Sequence, residues 1–369
     1  MPPVNLLIKP ASSLCNMRCK YCFYKDVTEN RAVDSYGIMT EETLEQMVIK
    51  TFAYAEGFAA FVFQGGEPTL AGLDFYKKLI DLQKKYNEKG LPVYNSIQTN
   101  GYLIDEEWAE FLAKHNFLTG LSLDGTREIH DSLRVDAAQK GTYDRVTKAA
   151  QLLERFGAQF NILCVVSNFA ARHPKKVYDS LKKYKYLQFI PCLDDFDGGT
   201  NRFSLTNDRY ANFLKVTFSE YYRDFVSGNY VSVRNFDNYI QMLRGNPPES
   251  CAMNGVCSCY FVIEGNGDVF PCDFYVLDQW RLGNIHTDNF DQMAQSERAK
   301  EFVRCSQYVD PHCRSCRWLQ LCRGGCRRNR EPFQDGKPRL NIYCESYRSF
   351  FAFAYPQMAE MARMLSPGK

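Results

Sequence analysis

The chain has 369 residues, 45% hydrophobic and 24% charged, with 45 Lys+Arg against 43 Asp+Glu. That length suits two domains, the composition excludes an intrinsically disordered chain, and the balanced charge excludes a global basic field for nucleic acid. Fifteen cysteines behind an N-terminus without a signal-peptide pattern point to metal in a reducing compartment rather than to disulfides.

In chain order, Val4–Lys9 reads as an apolar strand, and Thr40–Ala55 as a helix with an N-cap Thr and acidic first turn. Ala60–Gln64 is a strand followed by Gly65-Gly66, and Asp74–Lys89 is a helix closed by Gly90. The strands Tyr94–Gln98, Leu118–Leu123, Phe160–Val166 and Leu187–Pro191 alternate with the helices Asp105–Lys114, Tyr143–Phe156 and Lys175–Lys183. Short apolar strands alternating with helices suit a parallel sheet covered by helices. Six such units are too few for a closed eight-unit barrel, so the fold class expected is α/β, a partial (β/α)6 TIM-like barrel. The tail differs. Tyr260–Glu264 and Val269–Tyr275 read as a hairpin over a glycine turn, Glu301–Arg330 as loop, and Tyr347–Met364 as a final helix interrupted by Pro356. The expected division is 1–234 for the barrel and 235–369 for a cysteine-rich domain. No apolar run reaches the roughly 18 residues that span a bilayer.

Cys15, Cys19 and Cys22 form C-x3-C-x2-C in the loop after the first strand. Three thiols on one short loop hold three corners of a [4Fe–4S] cube and leave the fourth iron open to an exogenous chelate. Zinc calls for four ligands, and no further Cys or His occurs before His115. Buried or redox thiols are the plain alternative. With Tyr21 before the last cysteine, this loop resembles that of the radical S-adenosylmethionine (SAM) superfamily. There the open iron chelates SAM, and an electron from the cluster cleaves it to methionine and a 5′-deoxyadenosyl radical. The resemblance extends to Gly65-Gly66-Glu67-Pro68, similar to the superfamily's GGEP motif, which by itself is a common turn. It implies that Gly65, Gly66 and Glu67 grip the SAM amino group, Glu67 as acceptor. It also implies that Tyr21, Gln98, Ser122 and Arg134 belong to the SAM site, with Ser122 and Arg134 at its carboxylate or ribose.

Ten cysteines fall between 251 and 344. The pattern Cys257-x9-Gly267-x4-Cys272, then Cys313-x2-Cys316-x5-Cys322-x3-Cys326 and Cys344, resembles the SPASM domain, which binds two auxiliary [4Fe–4S] clusters. Two four-thiol sites need an eighth cysteine, and Cys251 supplies it. The resemblance implies one cluster on Cys251, Cys257, Cys272 and Cys326 and another on Cys313, Cys316, Cys322 and Cys344, with Cys259 a near rival of Cys257. Cys164, Cys192, Cys259 and Cys305 remain, and read as packed or ordinary thiols. The histidines are scattered. His312 precedes Cys313, but two cubes with eight cysteines need no histidine.

Over nearly the whole chain, including Ile8–Tyr24, Phe63–Gly72, Ser96–Gly101 and Pro271–Ile285, the sequence resembles the anaerobic sulfatase-maturating enzymes. These oxidise a Cys or Ser in a C/S-x-P/A-x-R segment of a sulfatase to Cα-formylglycine. The implied cofactors are three [4Fe–4S] clusters and SAM. The implied partners are the sulfatase segment and a flavodoxin or ferredoxin-type reductant, with no nucleic acid or membrane, in an anaerobic cytoplasm. In this chemistry the deoxyadenosyl radical takes the Cβ hydrogen, a base takes the thiol or hydroxyl proton, and an auxiliary cluster takes the electron. Asp273, next to Cys272, is the implied base; Tyr24 and Gln64 are implied to face the target residue. Asp278 and Asp268 are rivals for the base, Asp268 fitting a turn better. A SPASM enzyme that cross-links a ribosomal peptide is the alternative function. A first strand beginning at about Val4 leaves no room for the leader-binding domain many of those carry. A zinc-bound scaffold is the non-enzymatic alternative.

Overall fold

A computed structural model describes residues 3–365; the first two and last four residues, which fall at the ends of the expected division, lie outside it. In chain order the strands are β1 (Val4–Ile8), β2 (Ala59–Phe63), β3 (Val93–Thr99), β4 (Leu118–Ser122), β5 (Phe160–Val166), β6 (Tyr186–Pro191), β7 (Ser232–Val233), β8 (Phe261–Ile263), β9 (Asp268–Phe270) and β10 (Gly283–Asn284). Each of the first six is followed by a covering helix, so the alternation read from the sequence holds. The chain forms two compact units, neither a single stretch: Met1–Ser122 with Leu133–Phe160 and Cys259–Phe302, and Leu123–Ser132 with Asn161–Ser258 and Val303–Lys369.

In the first unit the strand order is β10-β9-β8-β1-β2-β3-β4. The pairings β1–β2, β2–β3 and β3–β4 are parallel. β8 also lies parallel to β1, Leu6 opposite Phe261 and Ile8 opposite Ile263, and opens the antiparallel hairpin β8–β9. Local chemistry places the helices. Thr40 caps Glu41–Tyr54 by accepting the Thr43 N–H at 3.1 Å, and Asp105 caps Glu106–Lys114 by accepting the Trp108 N–H at 3.0 Å. The core is aromatic. Phe63 meets Tyr76 at 5.1 Å and Tyr76 meets Trp108 at 5.3 Å, both edge-on. Each such buried ring contributes on the order of 1.5–3 kcal/mol.

In the second unit β5, β6 and β7 are parallel neighbours. In its core Phe218 meets Phe236 edge-on and Phe236 stacks on Phe350. Phe350 belongs to the last helix, Cys344–Met364, which packs on the helices Asn207–Val226 and Arg234–Leu243. Two expectations are corrected here. The last helix runs through Pro356 without interruption. Pro356 lies on its exposed side, while Phe350, Phe351, Ala354, Met358 and Met361 are buried, so packing on one face offsets the lost hydrogen bond on the other. The stretch 301–330 is not loop throughout. It begins inside the helix Glu297–Ser306 and contains short helical turns at Pro311–Arg314, Leu319–Cys322 and Arg327–Arg330.

A buried ion pair ties the segment after the cysteine loop to the hairpin within the first unit. Arg31 Nη1 lies 2.8 Å from Glu264 Oε1, the two side chains 2% and 1% exposed. Glu264→Gln leaves the guanidinium buried without its counter-charge. Denaturant unfolding of the variant is expected to show a loss of about 3–5 kcal/mol.

Candidate active site

The three N-terminal cysteines sit on a loop anchored at both sides. The Arg18 and Lys20 N–H groups donate to the carbonyls of Val135 and Leu133 at 2.7 and 2.9 Å. The thiols are set among donors. Cys15 Sγ accepts from the Met17 N–H at 3.4 Å and from Asn100 Nδ2 at 3.7 Å, and Cys19 Sγ accepts from Arg134 Nη1 at 3.8 Å. N–H groups aimed at sulfur suit thiolates bound to iron. Burial pushes the Cys15 thiol up to about 11 and raises Cys22 as well, so iron must displace protons here.

Gly65 and Gly66 are needed for a close approach within the chain. A Cβ on Gly66 would lie 2.1 Å from the Leu14 carbonyl oxygen, and one on Gly65 2.8 Å from that of Ser12. The Gly66 and Glu67 N–H groups donate to those same two oxygens, Ser12 O at 2.9 Å and Leu14 O at 2.8 Å. The glycine pair therefore seats the cysteine loop itself. Glu67, expected to accept from the SAM amino group, is fully buried and turned into the protein. Oε1 accepts from the Thr69 N–H, the Thr69 hydroxyl and the Thr99 hydroxyl, and Oε2 from the Asn100 N–H at 2.7 Å. Burial raises its pKa in spite of these donors. Its carboxylate is a hub for loops rather than an open acceptor. Arg134 is buried with its guanidinium 5.5 Å from the Tyr21 ring. Gln98 is exposed near the end of β3 and Ser122 half-buried at the end of β4.

The β1–β8 pairing delivers a second cluster. Asp273, 8% exposed, follows Cys272 in a turn after β9. Its Oδ1 lies 2.9 Å from Lys9 Nζ. The Tyr24 hydroxyl donates to both carboxylate oxygens at 3.0 and 2.9 Å, and Gln64 Nε2 donates to Oδ2 and, at 3.1 Å, to the Tyr24 oxygen. The Lys9 ammonium also stands 4.2 Å over the Tyr24 ring. Burial, then the Asp273 charge, holds the Tyr24 hydroxyl well above its ordinary pKa, so it stays a donor. Tyr24, Gln64 and Asp273, taken from three distant segments of sequence, thus meet at one point. Lys9 was not among the residues singled out. Its signal was a lysine closing an apolar strand, which demands a counter-charge that no neighbour in sequence supplies. The rivals of Asp273 are committed elsewhere: Asp278 accepts the Ala32 N–H at 2.7 Å, and Asp268 pairs with Arg281 at 2.6 Å.

In the second unit Cys313, Cys316, Cys322 and Cys344 line one cavity, walled by Trp318, Tyr347 and Phe351. Burial and neighbouring thiols push Cys322 up to about 11 and Cys344 to about 12. Cys251, Cys257 and Cys326 form another group; burial and then the Cys251 charge push Cys326 up to about 12. Cys251 also acts on Cys257, whereas Cys259, in the first unit with Cys272, is raised by burial alone. Cys164 and Cys192 are buried and Cys305 half-buried. His312 is brought within 4.8 Å of ligand atoms of Cys344 and Glu345.

Residues 10–180 match the model of the Radical SAM superfamily, and 251–317 that of an iron-sulfur cluster-binding domain, SPASM. A cysteine-type anaerobic sulfatase-maturating enzyme of Clostridium perfringens is 49% identical over 98% of this chain and 99% of its own. The chain belongs to the anaerobic sulfatase-maturating enzymes. It is therefore a radical SAM enzyme, and its fold class is the partial (β/α)6 barrel with a cysteine-rich SPASM domain. A serine-type member from Bacteroides thetaiotaomicron is 32% identical over 98% of this chain and 92% of its own. A solved structure of anSMEcpe with bound AdoMet and the Cp18Cys peptide is 47% identical, covers 99% of this chain and 100% of that one, and superposes with a TM-score of 0.95. Among the described residues no helix is long and apolar enough to cross a membrane.

The carbonyl-to-glycine seating of the cysteine loop is directly testable in this family member. Gly66→Ala is expected to displace the loop and weaken SAM binding to the anaerobic holoenzyme by tenfold or more, in isothermal titration, because a Cβ cannot occupy 2.1 Å from a backbone oxygen.

Proposed function

We propose that the enzyme oxidises the Cys of a C-x-P/A-x-R segment in a sulfatase to Cα-formylglycine, with Ser as a poorer target. The observation that carries this is the buried Asp273 held by Lys9, Tyr24 and Gln64. The greater similarity to cysteine-type than to serine-type relatives supports Cys as the target. Three [4Fe–4S] clusters are proposed, one on the Cys15–Cys19–Cys22 loop with SAM and two on the C-terminal cysteines. The functional division at 234/235 fits a cluster-domain match that begins at 251. A flavodoxin or ferredoxin-type reductant and an anaerobic cytoplasm follow from the same chemistry.

Bound SAM supplies one-electron hydrogen abstraction at the target Cβ. The residues of the chain manage the proton and the geometry. Asp273 takes the thiol proton. A carboxylate offers about four lone-pair sites, and Lys9, Gln64 and the twice-donating Tyr24 occupy all of them. The target thiol therefore replaces one of Tyr24's two bonds, the divided and hence weaker contact. Gln64 and Lys9 keep the carboxylate in place during that exchange. Lys9 also keeps a negative charge tolerable in a nearly dry site. The C-terminal cysteines would hold the auxiliary clusters, which would supply an acceptor for the electron left on the substrate, and water would hydrolyse the resulting thioaldehyde with loss of sulfide.

Asp273→Asn is expected to cleave SAM while formylglycine formation in a C-x-P-x-R peptide, followed by mass spectrometry, falls by about a hundredfold or more. An unchanged rate overturns the base, and a cross-linked product overturns the oxidation. Lys9→Met is expected to lower peptide oxidation while Lys9→Arg retains part of it. Anaerobically reconstituted protein is expected to hold about twelve iron with acid-labile sulfide; a folded preparation holding zinc alone would refute the radical chemistry.

A further inference from the structure

The residues that follow the cysteines around the second-unit cavity are not a random polar rim. Arg314 follows Cys313, Arg317 follows Cys316, and Arg323 follows Cys322. From Pro311 to Arg330 there are six arginines and no Asp or Glu, in a chain whose net charge is only +2. The six divide by burial. Arg327, Arg328 and Arg330 are buried, Arg330 donating to the Ser306 and Tyr308 carbonyls and Arg328 to that of Asp194. Arg314 and Arg317 are exposed and Arg323 half-exposed. The carboxylates nearby in sequence are already engaged: Asp310 caps the turn by accepting the His312 N–H at 2.8 Å, and Glu345 pairs with Arg348 at 2.9 Å. Among the described residues no carboxylate pairs with Arg314 or Arg317. Arg317 is braced 4.6 Å over the ring of Trp318, which walls the cavity. The four thiols are themselves only half-buried.

A redox centre close to the surface exchanges electrons with a partner that docks over it, because electron transfer weakens steeply with distance. Fixed charges of one sign at such a rim steer a partner of opposite charge and set its orientation. We propose that Arg314, Arg317 and Arg323 form a docking face for an acidic one-electron carrier protein, which exchanges electrons with the cluster held by Cys313, Cys316, Cys322 and Cys344. This rests on the proposed function, in which those cysteines hold an auxiliary cluster. The electron balance is closed. Each target Cys gives up one hydrogen atom at Cβ, one proton at sulfur and one electron; the electron passes to an auxiliary cluster and from there reduces the docked carrier by one electron. Cleavage of the next SAM consumes one electron, so the carrier ends each cycle as it began.

The test compares the holoenzyme with the Arg314→Glu/Arg317→Glu variant, using a purified flavodoxin of net negative charge as probe. Binding is measured by anaerobic titration at several salt concentrations, and electron exchange with the clusters by stopped-flow absorbance. The expected result is a tenfold or greater loss of affinity at low salt, a shallower salt dependence and slower exchange. Iron content and dithionite-driven formylglycine yield stay at the level of the unmodified enzyme. Unchanged affinity and exchange overturn the proposal. So does slower exchange with unchanged affinity and a shifted cluster midpoint potential, which would make the arginines counter-charges rather than a dock. No formylglycine from the unmodified enzyme with dithionite would instead overturn the function on which the proposal rests.

Discussion

A lysine ammonium buried at the end of an apolar strand has one tolerable fate, and the geometry of the candidate site grows from it. Lys9 is 1% exposed. Leaving that charge unpaired would cost several kcal/mol, so the fold must bring a carboxylate to it. Asp273 meets the demand at 2.9 Å. Once it is there, the Tyr24 hydroxyl and the Gln64 amide converge on the same two oxygens, and the carboxylate has no rotational freedom left. What looks like a device for stability is also a device for aim: the carboxylate proposed to meet a substrate proton is fixed before any substrate arrives.

A second buried carboxylate does comparable work for the cofactor side. Glu67 gathers the Thr69 N–H, the Thr99 hydroxyl and the Asn100 N–H, which belong to the ends of β2 and β3. Asn100 then donates its side-chain amide to Cys15 and Asn16. The Gly66 and Glu67 N–H groups hold the Ser12 and Leu14 carbonyls. Three loops are locked together through one acidic side chain, and the cysteine loop inherits its shape from strands that contain no cysteine.

Much of this was legible in the sequence where chemistry is local. C-x3-C-x2-C carries its meaning in spacing, the glycine pair after β2 and the dense C-terminal cysteines gain theirs from family resemblance, and the alternation of strand and helix follows from short-range periodicity. Tyr24, Gln64 and Asp273 were reachable through family resemblance, although nothing in their own neighbourhoods requires them to meet. Lys9 and the inward turn of Glu67 were not reachable. Both depend on partners fixed by tertiary contact, and a motif letter does not say which way a side chain points. The last helix defeats the usual reading of an internal proline for a similar reason, since only packing reveals that Pro356 lies on the solvent side. The helices Asn207–Val226 and Arg234–Leu243 were left unassigned, and their buried faces, with Phe213, Phe218 and Phe236, become evident only against the last helix.

The pairing of β1 with β8 also orders events in time. Residues 6–8 leave the ribosome well before their neighbours at 261–263. The cysteine loop is synthesised before Asp273, the proposed base, which reaches its partners through a contact of very long sequence separation. A nascent chain that has not yet reached β9 therefore lacks Asp273, the proposed acceptor for the substrate proton. Topology alone thus delays the buried Lys9–Asp273 pair until β8 and β9 have been made.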